Sequence, residues 1–325
     1  MPLGRDIFAE RMIQAEANPV LLLAPMQGIT TPLFRNAVIK LGGVDLVATE
    51  FVRIGQENQK VPPFVRHSVP LQIQFMAKDP QVLATVIHKM QPEQIKPDDW
   101  LDLNAGCPSK RVNSHGAGAA LLCDPKKLRL MLEEIRGVWQ GVLSVKIRLG
   151  FNSVTEFDTL LEVLKDAPLD FITIHAKTRA AATLDSSAIH KELLAQATQV
   201  LPFPVIGNGE IWSAAEALTL IKECGLRGVM FGRPAIANPF IFKEVRDLLN
   251  GLQPSSNEER KKQLLSFIRS LLKEFQALNN RSLCGAWKEL CFWFSKNPLL
   301  DLTLFEKTKR LTTLTQCEEV LLDFD

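Results

Sequence analysis

A chain of 325 residues, 23% charged and 46% hydrophobic, has an ordinary globular composition that excludes intrinsic disorder, collagen-like repeats and coiled coil. With 38 Lys+Arg against 36 Asp+Glu the formal net charge is +2, so any RNA partner must meet a local patch rather than a basic surface. The length suits two domains, or one α/β barrel of about 250 residues with an appendage.

The N-terminal stretch MPLGRDIFAERMIQAEANP is charged throughout and has no apolar h-region. It reads as a short helix, not a signal peptide. The longest apolar runs, such as 19–26, are far too short to span a bilayer, and the expected compartment is the cytoplasm. Six cysteines, at 107, 123, 224, 284, 291 and 317, form no CxxC pair. Neither a metal site nor a disulfide framework is expected.

Short apolar runs then alternate with amphipathic stretches. The predicted strands are Val20–Pro25, Asp45–Val52, Leu71–Met76, Trp100–Asn104, Leu143–Leu149, Phe171–His175, Pro204–Asn208 and Gly228–Gly232. Helices fall between them. Pro32 opens one that runs to Lys40. Asp124-Pro125 reads as an N-cap with Pro at the first helical position, leading into Lys126–Arg136. Ser213 caps Ala214–Glu223, and Gly225 stops it. Strands apolar on both faces are parallel strands covered by helices. Eight such units predict an α/β fold, a (β/α)8 TIM barrel over residues 1–250. An open doubly wound sheet is disfavoured because no GxGxxG opens a helix after the first strand.

Past a linker-like Gly-Leu-Gln-Pro-Ser-Ser-Asn at 251–257 the strand signals stop. Helical periods over Glu258–Leu278, Leu283–Lys296 and Leu304–Leu322 predict a small all-helical domain at 251–325. Arg260, Lys261, Lys262, Arg269, Lys273 and Arg281 crowd its first third. Trp287, Phe292, Trp293 and Phe294 read as its core.

Barrel sites lie at the C-terminal ends of the strands. The polar residues predicted there are Gln27, Arg53, Gln74, Asn104, Lys146, Arg148, His175, Asn208, Glu210 and Arg233, beside Pro25, Met26 and Cys107. Polar groups on apolar strands are costly as core, so their convergence argues for a site. Gly209 and Gly232, with Arg233, mark the ends of the last two strands, where barrels commonly hold a phosphate. The connection Ser109–Ala120 is long and rich in glycine and alanine, as a lid would be.

Leu103-Asn-Ala-Gly-Cys-Pro-Ser-Lys110, Val112-Asn113 and Gly116-Ala-Gly-Ala-Ala-Leu-Leu122 together resemble the signature of the tRNA-dihydrouridine synthases. Ala24-Pro25-Met26-Gln27-Gly28, Val145–Gly150, His175–Thr178, Ile206–Ile211 and Met230–Arg233 follow in the same family's order. The resemblance spans about residues 20–245, and the helical tail is similar to the family's C-terminal domain. It implies reduction of a D-loop uridine in tRNA, with FMN as cofactor and NADPH as electron donor. Pro25, Met26, Gln27 and Gln74 would then lie along the flavin ring. Lys146 and His175 would face its pyrimidine and phosphate side. Asn208, Gly209, Glu210, Gly232 and Arg233 would hold the phosphate. Arg53, Asn104 and Arg148 would meet substrate, Asn104 at the target uracil. Flavin N5 would give hydride to uracil C6, and Cys107 would protonate C5 from the opposite face. An ordinary thiol is mostly protonated at neutral pH and suits that role.

Two features qualify the match. Ala176-Lys177 stands where many members have Gly-Arg, losing a planar fork that could meet phosphate. Glu50-Phe-Val-Arg53 resembles the subgroup that acts on U16. The expected protein is a monomer that binds tRNA, with no membrane and no metal. The alternatives are another FMN barrel oxidoreductase acting on a small pyrimidine-like or enoate substrate, and a barrel that binds RNA without chemistry.

Overall fold

The computed structural model describes residues 8, 10, 18–183, 189–278, 283–300 and 303–322. The N-terminal helix read at the start of the chain and Arg281 lie outside those residues, Phe8 and Glu10 excepted. Among the described residues nine strands form: β1 (Val20–Leu23), β2 (Leu46–Ala48), β3 (Val52–Ile54), β4 (Leu71–Ala77), β5 (Trp100–Ala105), β6 (Leu143–Arg148), β7 (Phe171–His175), β8 (Val205–Asn208) and β9 (Gly228–Phe231). All their pairings are parallel. β1 meets both β2 and β9, and β2 meets β4, so the ring β1-β2-β4-β5-β6-β7-β8-β9 closes into an eight-stranded barrel.

The eight predicted strands are all present, with one difference. Asp45–Val52 breaks after Ala48 and resumes as β3 along the end of β4. Ala48 faces Gln72 while Val52 faces Phe75. The chain therefore takes four steps where its partner takes three, which is a bulge. It lies at the rim, where Glu50 Oε1 accepts from the Gly28 N–H at 2.6 Å and ties the turn after β1 in place.

Helices cover the barrel: α1 (Pro32–Leu41), α2 (Pro80–Met90), α3 (Pro125–Val138), α4 (Phe157–Leu164), α5 (Lys191–Val200), α6 (Ala214–Cys224), the short α7 (Arg233–Ala237) and α8 (Ile241–Leu249). Their starts follow local chemistry. Thr31, Asp79 and Asp124 cap α1, α2 and α3, each with Pro in the first turn. Ser213 and Glu216 form a capping box on α6, which ends on Gly225 at φ +65°.

Beyond β9 and α8 come α9 (Asn257–Ala277), α10 (Leu283–Phe294), α11 (Thr303–Thr308) and α12 (Leu314–Leu322). The single helix predicted over Leu304–Leu322 is two. The Thr313 hydroxyl accepts from Gln316 N–H, and Gln316 Oε1 accepts from the N–H groups of Thr312 and Thr313. This reciprocal cap starts a new helix. The tail shares its core with the barrel: Leu264, Ile268 and Leu271 join the same apolar cluster as Phe34, Ala37 and Phe242. Phe240 packs edge-on to Phe267, Lys40 pairs with Glu274 at 2.9 Å, and Arg260 pairs with Glu244 at 2.9 Å. The linker at 251–257 is exposed, but the packing around it is continuous. Trp287 and Phe294 are core as expected, whereas Phe292 and Trp293 remain partly exposed.

Candidate active site

A cavity of about 360 Å³ opens at the C-terminal mouth of the barrel. Pro25, Met26 and Gln27 of the turn after β1 line one wall. Asn104, Gly106 and Cys107 line another, and Lys146, Arg148, His175, Asn208, Gly209, Glu210, Gly232 and Arg233 complete it. Of the residues read from sequence, the structure brings together all but Gln74 and Arg53. Arg53 is exposed on β3, and its carbonyl accepts from the Gln59 amide. Gln74 lies beneath the floor and is fully buried, its amide spent on Asp102 and Asn104.

Each wall is fixed by bonds the local sequence dictates. Asn104, last but one in β5, accepts on Oδ1 from the N–H groups of Gly106 at 3.1 Å and Cys107 at 2.9 Å. The Cys107 carbonyl accepts from Asn113 Nδ2 at 3.0 Å and Ala119 N–H at 3.1 Å. Asn113 also donates to the Ala117 carbonyl and accepts from Arg179 Nε. Arg148 donates from Nε to the Gly106 carbonyl at 2.7 Å. Both sides of the Cys107 peptide are thus held, while its thiol lines the cavity.

The segment Ser109–Ala120, expected to act as a lid, is part exposed and part packed: Ser109–Arg111, Ser114 and His115 are exposed. Lys110–Asn113 make one helical turn, Gly118–Cys123 a 3-10 turn, and Val112, Ala117 and Ala119 are buried. Gly118 sits at φ +62°, where a Cβ would lie 2.9 Å from Val112 Cγ1 and 3.0 Å from Cys107 Cβ. Strain of this kind costs on the order of 1–3 kcal/mol. Gly118→Ala should lower thermal stability by that amount and change the alkylation rate of Cys107. A melting temperature and alkylation rate equal to wild type would show that the turn does not press on Cys107.

The electrostatics favour an anion. Lys146 donates to Asn208 Oδ1 at 2.9 Å. Burial, then the nearby Arg148, pushes its ammonium down to about 7. Burial likewise pushes Arg148 down to about 10. His175 is held well below its ordinary range by burial, then by Arg148, Lys146, Arg233 and Lys177. It is neutral at pH 7. Glu210 is the counter-charge: it pairs with Arg233 and, at 3.2 Å, with Lys177. The Glu210 carboxylate is thus committed to these two cations at the cavity wall. Lys177 is 3% exposed, so in place of the family's common arginine it serves that pair and is closed to bulky RNA.

Sequence reasoning missed Asp102 and Arg179, and it gave Glu50 no part in bracing the Gly28 turn. Asp102 had a signal: it shares the inward face of β5 with Asn104, two residues on.

The family model for dihydrouridine synthase matches residues 22–310. The chain belongs to that family. A tRNA-dihydrouridine(16) synthase of Pseudomonas syringae pv. tomato is 28% identical to it over 316 residues, 91% of this chain and 98% of the other. One from Cupriavidus necator is 30% identical, covering 73% of this chain and 76% of its own. A probable tRNA-dihydrouridine synthase of Helicobacter pylori is 34% identical over 70% of each chain. A solved structure of histamine dehydrogenase from Rhizobium sp. 4-9 shares the fold, with a TM-score of 0.50 and 15% identity over 70% of this chain and 46% of that one. Each of the cavity's walls carries residues of the sequence motifs: Ala24–Gln27, Asn104, Gly106–Pro108, Lys146, Arg148, His175, Asn208–Glu210, Gly232 and Arg233. Among the described residues no helix is long and apolar enough to cross a membrane, and no group of three or more His, Cys, Asp or Glu could hold a metal ion.

Proposed function

We propose that the chain is a tRNA-dihydrouridine synthase that uses FMN, with NADPH as electron donor, to reduce a D-loop uridine. The relatives named for position 16 favour U16 as the target. The observation that carries this reading is one cavity lined by Cys107, Asn104, Lys146, His175 and Arg233 at the barrel mouth.

The residues fit a flavin. His175 Nε2 is buried and has no partner among the described residues. An orphaned polar atom costs about 1–3 kcal/mol unless a ligand completes it. The turn Ala24-Pro25-Met26 offers an apolar wall, and a Cβ on Gly232 would already touch Ala24 and Met26 at 3.6 Å. Lys146 and His175 would meet the anionic ring edge, Gly209, Gly232 and Arg233 the phosphate, and Arg148 the substrate. Bound flavin supplies the hydride. Cys107 then protonates uracil C5, while Asn104 holds the base and Lys146 compensates negative charge.

The target base lies inside folded tRNA and must be extruded to enter the cavity. The protein acts as a monomer in the cytoplasm, and the helical tail carries the remaining tRNA contacts. Purified protein should be yellow and should turn over bulk tRNA but not free uridine. Turnover of free uridine at equal efficiency would instead favour a small-molecule oxidoreductase.

Arg233→Ala should cost retained flavin. A hydrogen bond to a charged group contributes about 1.5–3 kcal/mol, or roughly 10–100-fold in affinity. Flavin absorbance after dialysis is the measure, and a full complement in the variant would overturn the phosphate assignment.

A further inference from the structure

Below the cavity floor a single run of hydrogen bonds joins a buried carboxylate to the main chain of Cys107. Asp102 is 2% exposed inside the barrel. Its Oδ1 accepts from the Ser144 hydroxyl at 2.6 Å, and Ser144 Oγ accepts from Gln72 Nε2 at 2.9 Å. Its Oδ2 accepts from Gln74 Nε2 at 2.7 Å. Gln74 Oε1 in turn accepts from Asn104 Nδ2 at 2.8 Å, and Asn104 Oδ1 accepts from the Gly106 and Cys107 N–H groups.

At neutral pH the two ends of this run have opposite chemistry. Burial pushes Asp102 up to about 6, so at pH 7 it is ionised and only accepts, while a backbone N–H only donates. Between them stand two amides, each of which could be turned either way on its own. With both ends fixed, one orientation of each satisfies every bond. Turning Gln74 would set its oxygen against the carboxylate, and turning Asn104 would set its NH2 against the N–H groups of Gly106 and Cys107. The orientation leaves Asn104 one N–H beyond the bond to Gln74. Asn104 lines the cavity.

We propose that Asp102 is a positioning residue: through Gln74 it fixes the amide polarity of Asn104, which holds Cys107 by its oxygen and offers the substrate a donor rather than an acceptor. The polarity follows from the bonds alone. The offer of that donor to a uracil carbonyl rests on the proposed function. A donor at this point favours a base carbonyl over an exocyclic amine, so Asp102 would contribute to discrimination of uracil from cytosine.

The test has two independent arms, both on the full-length, flavin-loaded protein. In the first, Asp102→Leu removes the acceptor at nearly constant size, and Asp102→Asn keeps an oxygen that can still accept from Gln74. Asp102→Leu should slow the tRNA-dependent reoxidation of reduced flavin about 10–100-fold, the scale of one lost hydrogen bond to a charged group. Asp102→Asn should recover most of that rate. Flavin content and reduction by NADPH should stay near wild type in both. Equal losses in the two variants, or no loss in Asp102→Leu, would overturn the proposal.

The second arm needs no turnover and covers the case in which Asp102→Leu fails to fold. Asn104→Asp places a second acceptor against Gln74, which cannot donate to both carboxylates in its present pose. The fall in melting temperature caused by Asn104→Asp should be at least halved when Asp102→Asn is also present, because the new amide at position 102 can then donate to a turned Gln74. Strict additivity of the two substitutions would overturn the polarity argument. If wild-type protein reduces no tRNA uridine while the second arm shows this coupling, the proposed function fails and the role of Asp102 in orienting the amides stands.

Discussion

Cys107→Ala should keep the fold and the flavin and cut uridine reduction by about 10²–10⁴, the range for losing a general acid. The structure narrows the grounds for that expectation. The main chain of Cys107 is held by Asn104 on its N–H and by Asn113 and Ala119 on its carbonyl. None of these bonds uses the thiol, and Cys107 is partly exposed at the cavity while also packing beside Met76, Val112 and Ala117. Deleting one sulfur there leaves every one of these main-chain bonds in place and removes the acid. Stopped-flow of the two half-reactions separates the outcomes. Flavin reduction by NADPH should run at the wild-type rate, since no proton is delivered to a base in that step. Slow flavin reduction with normal uridine turnover, or wild-type rates in both, would overturn the assignment. A purely structural cysteine would show lowered stability with normal rates per folded molecule.

Lys146→Met should move two properties in opposite directions. Without flavin, the variant should be the more stable protein near neutral and acid pH. The unfolded chain keeps the Lys146 proton up to 10.5, but the folded chain releases it at about 7. Below 7 the charge is carried in both states and its burial costs stability in full. From 7 to 10.5 the unfolded state binds more protons, so stability rises with pH. The advantage of Lys146→Met should therefore be largest below 7 and fade toward 10.5. With flavin the order reverses. An anionic ring edge returns the proton to Lys146, so wild-type affinity should be highest below 7 and fall as pH rises through it. Lys146→Met should bind reduced FMN roughly 10–100-fold more weakly at low pH, with little pH dependence. Melting curves of flavin-free protein and a flavin titration at several pH values read both effects. A variant less stable than wild type below 7, or one with unchanged flavin affinity, would show that Lys146 is a structural ion pair.

Much of the candidate site was legible because its residues cluster at strand ends, and strand ends can be read from apolar runs. Ala24–Gln27, Asn104, Gly106, Cys107, His175, Asn208 and Arg233 each stand at or just past the end of a predicted strand, and each lines the cavity. Gln74 and Arg53 were read onto the same rim: Gln74 is buried directly against Asn104 of the cavity wall, Arg53 stands exposed on β3 along the end of β4, and neither is among the residues that line the cavity. Gln74 sits mid-strand, so its depth depends on how far β4 extends past its neighbours, which no single-strand pattern contains. Arg53 follows the bulge that ends β2 and stands exposed on β3. The bulge is a mismatch between two strands and has no signature in either alone.

The sequence by itself determined the alternation of eight apolar runs with capped helices, the strand-free tail and the order of the motifs. These are local properties: side-chain period, capping chemistry and turn residues act within a few positions of one another. Only the tertiary structure decided what the polar groups do to one another. It set Lys177 on Glu210, 33 residues away, and packed Gly118 against Cys107, which anchors the far half of the supposed lid. It also joined Asp102 to Asn104 through Gln74. A buried charge or amide must find its complement wherever the closed barrel brings one. That partner is chosen by the register of neighbouring strands, which is fixed only when all eight have closed on each other.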